Sequence, residues 1–126
     1  MTGHERRLGP RIPLEIFMNE YLEDRPHRAM TVNISETGLY VHKVATSFNR
    51  RNRVVGLELA LPGTSDVIWA RGEICYDTFD DHLHGQGIRF TGMARTYGRL
   101  LRDYCVERRR DQLGQLLERI RKSRSS

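Results

Sequence analysis

The 126-residue sequence predicts a mainly β domain, an antiparallel barrel or sandwich, followed by one long C-terminal helix. Two observations predict it. From Ile12 to Phe90 the chain is a succession of short alternating or β-branched runs, separated by turn-forming stretches and with no helical pattern between them. After Thr91-Gly92 the apolar period changes from two to three and four. A chain of this length fits one domain.

Residues 1–11, MTGHERRLGPR, are polar and basic. Gly9 and Pro10 stand between Arg7 and Arg11 and forbid an ordinary helix there. Proline lacks the amide donor and pushes the preceding residue out of the α region. This segment is expected to be a flexible basic arm, with the β body over 12–94. Ile12, Leu14, Ile16 and Met18 alternate with Pro13, Glu15, Phe17 and Asn19, as in one strand with one buried face. YLEDRPHR reads as a turn-rich connection, broken by Asp24 and Pro26. AMTVNISETGLYVHK gives two short strands around SETG, where Gly38 is expected to take an unusual backbone angle. FNRRNR reads as a polar loop and VVGLELALPG as a strand stopped at Pro62-Gly63. VIWARGEICYD is a long strand, TFDDHLHG a hairpin loop, and HGQGIRF the return.

The helix is expected over 95–122. Tyr97, Leu100, Leu101, Tyr104 and Cys105, then Leu113, Leu116, Leu117 and Ile120, read as one apolar stripe with a basic outer face. Gly98 and Gly114 weaken it by up to about 1 kcal/mol each. Such a helix is longer than a small barrel can cover. Its first half should pack on the barrel, and its second half, QLGQLLERIRK, should need another partner, such as a second copy in a homodimer. Residues 123–126 are expected to be a disordered tail.

Charge excludes some functions. The formal net charge is +5, from 21 basic and 16 acidic residues. Ten of the basic and four of the acidic residues lie in 95–126, so the body is nearly neutral. A nucleic-acid-binding barrel would want its basic face on that body. No apolar run is long enough to span a membrane, and no secretory signal pattern opens the chain. A cytoplasmic setting is therefore expected. There, Cys75 and Cys105 should be buried small hydrophobes and not a disulfide.

Two clusters could carry chemistry. Arg6, Arg7 and Arg11 lie on the arm; alone they read as a solvated basic tail. NISETG, 33–38, alone reads as a turn, in which Asn and Ser bond nearby backbone and Gly takes the bend. Together they are more specific. R-x-x-x-R, a strand, then N-x-S-x-x-G resembles the PilZ domain family. LYVHK, LELALPG, ARGEICY and GQGIRF resemble its later strands in order, so the likeness covers residues 5 to about 95.

The resemblance implies a six-stranded antiparallel β-barrel that binds the bacterial second messenger cyclic di-GMP. Arg7 and Arg11 match the paired arginines of the first motif, and Arg6 stands where many members carry a further one. Asn33, Ser35 and Gly38 match the second motif. Guanidinium groups suit a ligand with two phosphates and two guanines, because they bond phosphate or guanine O6 and N7 in bidentate fashion and stack on bases. Ser35 is expected to donate to phosphate or a guanine acceptor, Asn33 to accept from guanine N–H groups, and Gly38 to leave the ligand room. Ligand should neutralise the arginines and fold the arm over the barrel mouth.

The resemblance further implies control of motility, surface polysaccharide or related behaviour through an unidentified protein partner. A second reading is an adaptor of the same fold without the ligand, since Asn33 stands where Asp is commoner and Glu36-Thr37 where small residues often precede the glycine. No catalytic set is present, so an enzyme is not expected. His82 and His84, near Asp80 and Asp81, read as a polar hairpin and not as a metal site, for want of a third ligand. Trp69 and Tyr76 read as barrel aromatics, and RRRD, 108–111, as a solvated helix face.

Overall fold

The computed structural model describes residues 11–44, 53–80 and 82–125. Arg6, Arg7 and most of the loop FNRRNR lie outside them. The elements are β1 (Ile12–Pro13), β2 (Phe17–Leu22), β3 (Arg25–Ile34), β4 (Gly38–Val44), β5 (Val54–Ala60), β6 (Val67–Asp80), β7 (Leu83–Met93) and α1 (Arg95–Ser125). All pairings are antiparallel. The order β3-β2-β5-β6-β7-β4 is closed by β4 pairing back to β3, giving a six-stranded barrel with β1 as an extra strand on β3. Closure pairs each of the six strands with two neighbours over part of its length.

The strand expected from Ile12 is two. Ile12 pairs with Ile34 and Phe17 with Met30, a register offset of one between β1 and β2. The cause is Thr31, fully buried at the break. Its hydroxyl accepts the Ile16 N–H at 3.0 Å and donates to the Leu14 carbonyl, so a side chain satisfies backbone that the ladder cannot. The face alternation nevertheless holds: Ile12, Leu14 and Met18 are buried.

YLEDRPHR is not a long connection. Only Glu23 and Asp24 turn, with φ of 51° and 65°, the left-handed pair that suits a two-residue hairpin. Pro26 lies within β3, opposite Tyr21, where β3 has not yet begun to pair with β4. TFDDHLHG is likewise mostly strand: β6 runs to Asp80 and β7 starts at Leu83. Gly38 does not have a positive φ; among the described glycines Gly63 does. Gly38 is required by proximity, since a Cβ there would lie 2.3 Å from the Ile88 carbonyl oxygen.

The helix runs to Ser125, into the expected tail. Its first half covers the barrel: Leu101 and Cys105 join the core with Ile12, Ile34, Leu39 and Ile88. Leu113, Leu116, Leu117 and Ile120 are exposed, as expected of a half with no barrel beneath it. Cys75 is exposed, contrary to expectation, while Cys105 is buried; both are free thiols. Cys75 sits at the β6–β7 register shift between Ile74 and Tyr76, which puts Ile74 inward and turns its neighbour out.

Away from α1 the inward positions become polar. Glu20 is fully buried and accepts from Lys43 Nζ at 2.6 Å. Gln86 lies between the two carboxylates: its amide donates to Asp77 Oδ1 at 3.4 Å in one orientation and to Glu20 when turned over. Asp77 accepts from Arg53 Nη1 and from His84 Nε2, each at 2.7 Å. Burial works to raise the Asp77 carboxyl, but the bonds from Arg53 and His84 and the Arg53 charge outweigh it and hold it below its usual range.

Candidate functional site

The two motifs meet at the barrel surface. Arg11 Nη1 donates to Asn33 Oδ1 at 2.9 Å, across 22 residues of sequence. Backbone pairing places them: Arg11 precedes β1, and β1 lies against the end of β3, with Pro13 opposite Asn33. The direction of Asn33 depends on a bulge. In a regular strand Thr31 and Asn33 would share a face. The β3–β4 register shifts between Thr31 and Asn33, so Thr31 and Ile34 both point in and Asn33 is left partly exposed beside Arg11.

Ser35 is placed differently from expectation. It is buried, and its N–H donates to the Gly38 carbonyl at 2.8 Å, closing the turn. Its hydroxyl accepts the Thr37 N–H at 3.2 Å and lies 3.1 Å from the Thr37 hydroxyl. In this geometry Ser35 and Gly38 shape the turn, one by local hydrogen bonds and one by close approach to β7. Glu36 is exposed at the tip. Burial first, and the Glu36 charge second, push the Cys105 thiol up to about 11.

Sequence reasoning missed an aromatic surface next to this pair. Tyr40 is directly opposite Asn33 in β4 and, like it, faces outward between the buried Leu39 and Val41. Its ring lies 6.0 Å from that of Tyr76, at 23°. Two glycines of GQGIRF make room: a Cβ at Gly85 would meet the Tyr40 hydroxyl at 2.1 Å, and one at Gly87 the Tyr76 ring at 2.1 Å. Tyrosines spaced with alternate glycines on a neighbouring strand were the available signal. Arg89, opposite Gly38, donates to Glu73 at 2.6 Å.

The set offers an exposed guanidinium, an amide and flat aromatic rings on one face. That combination can bond a phosphodiester and stack or edge-bond a purine. Other features suit such a ligand less. A groove of about 620 Å³ runs between Pro13–Ile16, Pro62–Thr64 and α1. Its rim carries Glu15, Asp103, Glu107 and Asp111 against Arg108, the wrong sign for a phosphate. Trp69 lies beside Tyr21, ring centroids 5.9 Å apart, away from Asn33. His82 is exposed, whereas His84 is buried against Asp77, and no group of metal-ligating side chains forms among the described residues.

No curated protein matches the sequence. Several solved structures share the fold. The inhibitor of motility of Bacillus subtilis (MotI/DgrA) aligns with a TM-score of 0.72 and 17% identity, over 80% of this chain and 50% of that one. The Borreliella burgdorferi PlzA protein, solved in complex with c-di-GMP, aligns at 0.58 and 15%, over 81% of this chain and 42% of that one. The chain thus spans half or less of either neighbour. A family model described as the PilZ domain matches residues 5–107, from the arginine arm through the barrel and into α1. With that match over most of its length, and with the closed six-stranded barrel, the chain belongs to the PilZ domain family.

Proposed function

We propose that this chain is a cytoplasmic receptor for cyclic di-GMP, which passes the signal on through contacts with a protein partner, in control of motility, surface polysaccharide or a related process. The observation that carries the reading is the Arg11–Asn33 hydrogen bond, which unites the second arginine of one motif with the first residue of the other. In this reading Arg11 moves from the amide to a phosphate or guanine edge, and Arg7, with Arg6 beside it, supplies the remaining positive charge. Asn33 then accepts from guanine N–H groups. Ser35 and Gly38 act by holding the turn, and Tyr40 with Tyr76 offers the rings on which a base stacks. A neighbour of the same fold solved with this ligand, and another named for inhibiting motility, support the assignment of ligand class and process.

Titration calorimetry with cyclic di-GMP tests it. Saturable binding is expected, weakened roughly ten- to hundredfold in Arg11→Ala, the loss typical of a hydrogen bond to a charged group. Absence of saturable heat overturns the receptor reading. One observation favours the second reading, an adaptor without nucleotide: the Ser35 hydroxyl is buried in its own turn and not aimed at the surface.

A further inference from the structure

The two halves of α1 do not share one apolar stripe. At about 100° per residue, the buried Leu101 and Cys105 lie roughly 90° around the helix from the mean of Leu113, Leu116, Leu117 and Ile120. The outer stripe is therefore not an overhang of the barrel-facing one. With Val106 it spans an arc of about 100°, and Val106, Leu113 and Ile120 recur every seven residues. All five side chains are between 43% and 60% exposed.

Charge is sorted around this stripe. Glu107, Asp111 and Glu118 fall close together, about 150° from its centre. Arg109, Arg110, Arg121 and Arg124 stand beside or within the arc, and all are exposed; Arg121 also lies 3.9 Å from Glu118, and Arg108, Arg119 and Lys122 fall outside the arc. Residues 106–125 hold seven basic and three acidic side chains.

We infer that the outer half of α1 is a docking surface for an amphipathic helix with acidic flanks, carried by a protein partner. A narrow seven-residue seam fits one facing helix, with charges beside the seam choosing its partner. A second copy would bring two like-charged seams together, which costs affinity. A lipid surface calls for a broader apolar face than this arc provides. The inference goes beyond the nucleotide site and stands without it.

The test uses the full chain, without nucleotide, and two labelled synthetic helical peptides. Both carry Leu at heptad positions a and d; one has Glu and the other Lys at e and g. Anisotropy should show binding of the Glu peptide and not of the Lys peptide. Leu113→Gln with Leu117→Gln should weaken it roughly tenfold or more, with helix content by circular dichroism unchanged, since both positions are exposed. Arg109→Glu with Arg110→Glu should move preference toward the Lys peptide. The chain should sediment as a monomer and leave phosphatidylglycerol vesicles unbound. Failure to bind the Glu peptide, indifference to the leucine or arginine changes, vesicle binding, or a dimer dissolved by Leu117→Gln would each overturn the inference.

Discussion

The two ends of the barrel interior are built on different physics. Under α1, Ile12, Ile34, Leu39 and Ile88 form one core with Leu101 and Cys105, and the turn 35–38 is pressed against β7 with no room for a Cβ at Gly38. At the far end the same inward phases of β2, β4 and β7 carry Glu20, Lys43, His84 and Gln86, joined by Asp77 and Arg53. The first end gains stability by removing apolar area from water. The second breaks even only while each charge keeps its partner. The proposed nucleotide site lies on the apolar, helix-covered end, where packing fixes the backbone that aims Asn33.

The comparison can be broken first at the apolar end. Leu101→Ala opens a cavity between α1 and the barrel and should cost about 2–5 kcal/mol in urea unfolding. A smaller loss would mean that the helix caps the barrel only loosely.

At the polar end, Lys43→Met leaves the Glu20 carboxylate buried with Gln86 alone, and roughly 1–3 kcal/mol should be lost, less than for a fully buried pair because Lys43 is partly exposed. Adding Glu20→Met should recover most of it, because no buried charge then remains. A double variant as unstable as the single one would show that the pair is a net contributor.

The smallest effect is in acid. The folded-state Asp77 pKa is depressed below its ordinary 3.8, so its contribution is present above that value and is lost as pH falls through the folded one. Thermal midpoints should drop below about pH 4, and Asp77→Asn should flatten that slope while lowering stability at neutral pH. An unchanged slope would remove Asp77 from the account.

Much of the fold was legible in the residues, and particular misses have physical causes. Alternation from Ile12 to Met18 revealed the buried face but not the break, because the break is made by a hydroxyl from Thr31, a strand away. The polar interior was hidden for a related reason: Glu20 and Lys43 look like outward residues until their partners on other strands are known. Gly38 was recognised as needed, but its need comes from the Ile88 carbonyl and not from its own φ. The motif residues could be found by spacing, yet their meeting depends on a bulge that reverses the phase between Thr31 and Ile34. Periodicity in one strand carries no trace of that reversal. The apolar residues of α1 were correctly found and wrongly joined, since the eight residues from Cys105 to Leu113 carry the stripe about 80° around the helix.

The claim that the helix-covered end holds the ligand is tested most directly by hydrogen exchange, read with and without saturating cyclic di-GMP. The account predicts slowed exchange at residues 33–38 and at Tyr40, with Asn19–Tyr21, around the buried Glu20 of the polar end, unchanged. Protection confined to residues 19–21, or no change at 33–38 while ligand is bound, would contradict it.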